Sequence, residues 1–259
     1  MPTSILLVGC GKMGGALLHG WSKRDGLVIS TLDPHSTGAD YHAAEEITTR
    51  YDVIILAVKP QVMADVANSI KHLITPTTLI LSIAAGKTIS FYESIFGTTT
   101  VIVRAMPNTP ALVAKGMTVL CGNDATSELQ AQLSMNLMAS VGDVEWIDDE
   151  TLMDAVTAVS GSGPAYVFHL IEAMTEAGVA AGLTPALSEK LARQTVIGAA
   201  SLAESENTIP AATLRQNVTS PGGTTEAALK ILMSDKNGLA DLMTRAILAA
   251  QKRGKELAS

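Results

Sequence analysis

The chain has 259 residues, 47% of them hydrophobic but only 3% aromatic, and carries a formal net charge of −7. That length suits one large domain or two smaller ones, and an acidic chain without a Lys/Arg run is a poor partner for nucleic acid. No apolar run approaches the ~18 residues of a membrane span, and Gly9 interrupts the apolar residues 5–8 too early for a signal segment. Cys10 and Cys121 form no motif, so a reducing, cytoplasmic setting is expected. The five histidines are scattered and no metal site is expected; His169, on an apolar helix, reads as a satisfied core or interface residue.

The first predicted element is a buried strand at residues 4–8. Gly9-Cys10-Gly11-Lys12-Met13-Gly14 follows, then a helix over about 15–23. This is G-x-G-x-x-G between strand and helix, the context in which it holds a dinucleotide. The first glycine makes the tight turn, the second admits a pyrophosphate, and the third lets helix approach strand. A second strand, 27–32, ends in Asp33, close to the ~20-residue offset of an acid that bonds a ribose 2′-OH. Asp33 also reads as a turn residue before Pro34. Where an acid favours NAD, the following His35, Ser36 or Thr37 could meet a 2′-phosphate.

Further strands are predicted at 53–58, 78–83 and 101–103. They run into Ala57-Val58-Lys59-Pro60, Ala84-Ala85-Gly86 and Arg104-Ala105-Met106-Pro107-Asn108-Thr109-Pro110. In a parallel sheet these carboxyl ends share one edge, where ligands bind; each is also readable as an ordinary turn or rigid loop. Strands at 117–121 and 144–147 flank a helix at about 126–140.

From residue 149 the strand signals stop. Periodic Ala/Leu/Met stretches predict helices at about 150–159, 164–181, 185–204, 210–216, 224–233 and 239–252, several opening on Pro. The expected architecture is therefore α/β: a Rossmann domain with a mostly parallel sheet over 1–148, then an all-helical domain over 149–259. Such Ala-rich helices bury little area alone, so this half should pack against a second copy. Ser160-Gly161-Ser162-Gly163-Pro164 is a small-residue break that serves either close helix packing or a ligand. Glu172 in the next helix serves the site or braces that turn, with bracing favoured.

Val218-Thr219-Ser220-Pro221-Gly222-Gly223-Thr224-Thr225-Glu226 turns the chain between two helices. With Gly223 as N-cap, Glu226 falls at N3, where the helix dipole favours an acid. The free N–H groups and hydroxyls at this N-terminus suit a small carboxylate; the plainer reading is a capped inter-helix turn.

Together these motifs, in this order and over nearly the whole chain, closely resemble pyrroline-5-carboxylate reductase. The resemblance implies reduction of a cyclic C=N bond to L-proline, the last step of proline synthesis, by NADP(H) or NAD(H). It implies a C-terminal domain interlocked in a homodimer, with dimers assembled in many members into a decamer. It places the pyrophosphate on Gly9, Cys10, Gly11, Lys12, Met13 and Gly14. Asp33, Ala57, Val58, Lys59, Pro60, Ala84, Ala85, Gly86 and Asn108 line the rest of the cofactor, Asn108 near the nicotinamide. It places the substrate carboxylate on Ser220, Gly223, Thr224 and Thr225, with the catalytic Thr225 hydroxyl at the ring nitrogen. Ser162 and Glu172 stand on the substrate side, and the pocket at the dimer interface. Asp33 departs from relatives that favour NADPH. Two alternatives are a Rossmann oxidoreductase of the 3-hydroxy acid type, which wants a lysine motif that Lys190 and Lys230 do not form, and a nonenzymatic dinucleotide sensor.

Overall fold

The computed structural model describes residues 2–258. Short β-branched and leucine runs form a seven-stranded sheet: β1 (Thr3–Val8), β2 (Leu27–Leu32), β3 (Val53–Leu56), β4 (Leu79–Ser82), β5 (Val101–Met106), β6 (Gly116–Gly122) and β7 (Gly142–Trp146). Their order is β2-β1-β3-β4-β5-β6-β7. The first five are parallel; β6 runs antiparallel to β5, and β7 pairs parallel with β6. The inner strands β3 and β4 are buried throughout and β1 and β5 nearly so, as a sheet covered by helices on both sides requires, while the edge strands β2 and β7 are partly exposed. One face carries Leu6, Val8, Ile54, Leu56, Ile80 and Ile102, the other Ile5, Leu7, Val53, Ile55, Leu81 and Val103.

The helices α1 (Lys12–Trp21), α2 (Met63–Ser69), α3 (Ile89–Phe96) and α4 (Glu128–Met138) cover this sheet. Thr88 caps α3 by accepting from the Phe91 N–H, and Ser127 with Gln130 forms a capping box on α4. Trp21, at the end of α1, is fully buried and donates its indole N–H to the Leu137 carbonyl. The helices α2 and α3 were not anticipated, β5 is longer than expected, and β3 stops two residues earlier.

The segment expected as one helix at 150–159 is broken. A 3-10 turn (Glu150–Leu152) leads into α5 (Met153–Val156) and then a π-turn (Thr157–Gly161). Beyond it lie α6 (Gly163–Ala180), α7 (Pro185–Ser205), α8 (Ala211–Asn217), α9 (Thr224–Leu232) and α10 (Leu239–Ala258). Pro185 occupies the first turn of α7 as predicted, whereas Pro210 precedes α8 as its N-cap.

By packing, the chain divides into one compact unit up to Ser162, joined by the residues from Ala250 on, and a second at Gly163–Ala249. The division thus falls later than the expected boundary after residue 148, because 150–161 packs with the sheet unit. In the second unit α6 and α7 form an antiparallel hairpin. A Cβ on Gly178 would stand 2.1 Å from Ser188 Oγ, so only glycine lets α7 approach this closely. Ser188 Oγ donates to the Thr175 carbonyl across the pair. Among the described residues, Ala192 is the one buried apolar side chain of this unit, while Phe168, Leu187, Leu191 and Ile231 are well exposed.

Candidate active site

The parallel strands end in register. Val8 pairs with Leu32 and Leu56, Leu56 with Ser82, and Ser82 with Arg104, so four connecting loops leave the sheet from one row. Strand order reverses between β2-β1 and β3, which opens a crevice at the carboxyl ends of β1 and β3. The Gly9–Gly14 loop leaves one side of that crevice and Ala57–Pro60 the other.

Gly9 has φ +99°, and a Cβ there would stand 2.9 Å from the Ala57 carbonyl group. A Cβ on Gly14 would meet the Gly9 carbonyl oxygen at 2.1 Å. Both glycines are therefore obligatory for the turn and for the approach of α1 to the strand. Gly11 differs: a Cβ there would meet nothing within 4 Å. Its openness leaves approach space over the loop. The first α1 bond runs from Gly15 N to Gly11 O, so the N–H groups of the preceding turn have no intrahelical acceptor, and no acid sits in that turn. Lys12, His19 and Lys23 line a cleft of about 790 Å³ beside the loop, together with Gly11 and Leu112. Open backbone, N–H groups without intrahelical acceptors and the Lys12 and Lys23 side chains fit a dinucleotide diphosphate.

Asp33 sits at the end of β2 as predicted, and its carboxylate faces inward. Oδ2 accepts from the Cys10 N–H at 2.7 Å and Oδ1 from the His35 N–H at 2.8 Å. Burial alone would raise its pKa, but these bonds and one from the Ser36 N–H outweigh it and hold the carboxyl below its ordinary value. Asp33 thus stitches the glycine loop to the loop after β2 and stays ionised.

At the far side of the edge, Asn108 spends its amide on the protein. Its Oδ1 accepts from the Met117 N–H at 2.9 Å, and its Nδ2 donates to Ser160 O at 3.2 Å and Ser160 Oγ at 3.3 Å. Ser162 closes the π-turn through its N–H to the Thr157 carbonyl at 2.8 Å. Gly86, with φ +71°, turns the loop after β4.

Beneath this edge lies a polar cluster that sequence reasoning missed. Arg104, 3% exposed, forms an ion pair with Glu150 at 2.9 Å, and Glu150 Oε1 also accepts the Ile89 N–H at 2.8 Å. Tyr92 and Ser82 share a short hydroxyl–hydroxyl bond. Burial pushes the Tyr92 phenol up to about 12, against the opposing effects of the Ser82 bond and the Arg104 charge. Burial, aided by the Glu150 charge, pushes the Cys121 thiol to about 12 as well. The available signal was a lone arginine ending an otherwise apolar strand.

In the second unit, α8 and α9 are joined by the Ser220–Gly223 turn. Gly222 has φ +71°, and Gly223 is the extended N-cap of α9 with no side-chain cap. Glu226 at N3 reaches back to the Gly222 N–H and pairs with Lys230 at 3.3 Å. Gly223 N–H donates to Ser220 O at 3.0 Å, and the first α9 bond runs from Ala227 N to Gly223 O. The N–H groups of Thr224 and Thr225 therefore open the helix without intrahelical acceptors. Ser220, Gly223, Thr224 and Thr225 lie together at the start of α9.

Glu172 is 69% exposed, and its Oε2 pairs with His169 Nδ1 at 3.0 Å, one helical turn earlier. His169 is 80% exposed, which sets aside the core reading and leaves the interface one. Both side chains are exposed on α6.

The family comparisons agree with this layout. Residues 150–257 match the model described as pyrroline-5-carboxylate reductase dimerisation. Residues 4–86 match that described as NADP oxidoreductase, coenzyme F420-dependent. Among curated relatives, the pyrroline-5-carboxylate reductase of Pseudomonas aeruginosa is 40% identical over 98% of this chain and 96% of its own. That of Pisum sativum is 36% identical over 96% and 94%. A solved pyrroline-5-carboxylate reductase from Coxiella burnetii superposes with a TM-score of 0.91 at 36% identity over 100% of both chains. The Plasmodium falciparum enzyme with NADP bound gives 0.83 at 32% identity over 99% and 98%. The chain belongs to the pyrroline-5-carboxylate reductase family.

Proposed function

We propose that this chain reduces the C=N bond of 1-pyrroline-5-carboxylate to L-proline, using NADPH or NADH, as a homodimer built through residues 149–259. What supports it most is one combination: a chain of this family carries both a diphosphate-ready glycine edge and a hydroxyl-flanked helix N-terminus of carboxylate size. Gly9, Cys10, Gly11, Lys12, Met13 and Gly14 hold the diphosphate, and Ala57–Pro60, Ala84–Gly86 and the Asn108 loop bound the rest of the cofactor. When bound, the reduced nicotinamide supplies the hydride.

The remaining work falls to the chain. The Thr224 and Thr225 N–H groups and the Ser220 hydroxyl hold the substrate carboxylate at the start of α9, where the helix dipole favours an anion. That fixes the ring, and the Thr225 hydroxyl hydrogen-bonds the ring nitrogen. As the imine carbon gains hydride, the nitrogen gains a proton that Thr225 relays from water. An alcohol is a weak acid, so orientation carries more of the rate than proton donation. A dimer accounts for the exposed apolar helices, and further assembly to a decamer would read as that mass in light scattering. Cys10 and Cys121 are both free thiols, in keeping with a cytoplasmic setting.

The test follows loss of nicotinamide absorbance from NADPH and from NADH, side by side, with 1-pyrroline-5-carboxylate. Consumption of either with matching proline formation is expected. Cofactor binding without consumption would leave a dinucleotide sensor or a reductase of another substrate.

A further inference from the structure

Residues 150–161 are broken into three kinds of helical turn and are anchored on the sheet unit by the buried Met153 and Ala158. Both ends of the segment also grip the carboxyl edge of the sheet. At the far end, Ser160 receives both donors of Asn108 from the loop after β5. At the near end, one oxygen of Glu150 accepts the Ile89 N–H at 2.8 Å and Arg104 Nη1 at 2.9 Å. Ile89 is the first residue of α3 and closes the Ala84–Thr88 loop. Arg104 is the fourth residue of β5.

The charge logic makes Glu150 hard to replace. Arg104 is buried, and its Nη2 has no hydrogen-bond partner. Burying a cation is tolerable only with a close counter-charge. Glu150 is the carboxylate that supplies it, so the side chain cannot leave without stranding Arg104. The oxygen that neutralises the arginine also fixes the height of the loop after β4.

We infer that Glu150, held by Arg104, is a positioning residue for the cofactor: through the Ile89 N–H it sets the Ala84–Gly86 loop against the end of β5. This rests on the reading of that loop as part of the cofactor edge. Glu150 touches no reacting atom; it acts through Ile89 and Arg104.

Three variants separate this role from general stability. Glu150→Gln keeps an acceptor oxygen at the same reach but strips the counter-charge from Arg104, so its melting temperature should fall while the Ile89 bond is kept. Glu150→Asp keeps the charge but is one methylene too short to serve Ile89 and Arg104 together, and Glu150→Ala removes both bonds. Dinucleotide titration without substrate, on samples with native circular dichroism, gives the affinity. Amide exchange at Ile89 reports the bond itself. Glu150→Gln should bind the dinucleotide within about threefold of the parent and keep Ile89 protected. Glu150→Asp should bind about tenfold more weakly, with Ile89 exchange accelerated, the scale on which displaced positioning groups act. Glu150→Ala should match or exceed that loss; if it does not fold, the Asp and Gln pair decides. Parent-like affinity and parent-like Ile89 exchange in Glu150→Asp, beside a parent that binds dinucleotide, would overturn the positioning role alone. A parent that binds neither dinucleotide would overturn the cofactor reading and this inference with it.

Discussion

The two compact units differ most in what they bury. The sheet unit closes both faces of its inner strands, with Ile5, Leu7, Leu17, Ile54, Leu56 and Tyr92 fully enclosed. The helical unit encloses Ala192 and little else, and leaves Phe168 62% and Ile231 75% exposed. Apolar burial contributes roughly 25 cal/mol per Å², so the first unit holds its own stabilisation and the second lacks most of it. The contrast matches their tasks. A dinucleotide edge must be preorganised in each chain, whereas a dimerisation domain can keep its apolar surface for the partner. Contiguous exposed apolar surface of this kind marks an interaction face.

The sharpest way to break this contrast is to place charge on the α7 face. Leu187→Asp with Leu191→Asp puts two carboxylates where a partner would desolvate them, at several kcal/mol if unpaired. Light scattering should then show the 27.0 kDa single chain. Proline formation should fall at least ~100-fold, about 3 kcal/mol of lost assembly, while dinucleotide binding by the sheet unit persists. Loss of dinucleotide binding as well would mean that the units do not divide the work this way.

The next effect is local to the helical unit. Thr225→Ala removes one hydroxyl at the start of α9 and should lower kcat/KM by about 10- to 1000-fold. Dimer mass and cofactor affinity should not change. Unchanged kinetics would remove Thr225 from the mechanism.

Within the sheet unit, Asp33→Asn removes an ionised carboxylate from the end of β2 but keeps an acceptor for the Cys10 N–H. The ratio of kcat/KM for NADPH over NADH should rise about tenfold, the equivalent of ~1.4 kcal/mol of relieved repulsion at a 2′-phosphate. No change in the ratio would show that Asp33 acts through the glycine loop alone. The same residue has a pH signature. Its folded pKa lies below the ordinary carboxylate value, so its stabilisation is present above that value and is lost as pH falls through the folded one. The difference in melting temperature between Asp33→Asn and the parent should therefore shrink in strong acid.

The smallest effect concerns the buried cluster. Cys121 rises from 9.0 to about 12 on burial. Between those values the unfolded chain gives up the proton that the folded chain keeps, so stability falls as pH rises across that window. Cys121→Val should flatten part of that alkaline decline, with the rest left to Tyr92, which ionises in the same way from 10.0 to about 12. An unaltered alkaline profile would show that the thiol does not report on the fold.

Much of the sheet unit was legible because its signals are local. Apolar runs such as 53–56 can only be buried strands here, and the spacing of Gly9, Gly11 and Gly14 encodes a turn directly. The start of α9 was legible for the same reason: Gly223 and Glu226 stand at their N-cap and N3 positions by spacing alone. The short α2 and α3 were not, since helices of this length take most of their stability from tertiary packing. Arg104 and Glu150 stand 46 residues apart, and nothing local announces their bond. The inward turn of Asp33 depends on where the Cys10 N–H points, which spacing does not reveal. Glu172 and His169 were less legible because α6 reads as a core helix, whereas both side chains are exposed and pair with each other.

The most direct test follows a labelled hydride. Reduced cofactor carrying deuterium at the transferable position of the nicotinamide is incubated with the protein and 1-pyrroline-5-carboxylate, and the product is examined by mass spectrometry. Proline carrying one deuterium on the ring carbon beside nitrogen, formed in step with cofactor oxidation, is the predicted result. Cofactor bound but no labelled proline formed would contradict imine reduction as the work of this chain.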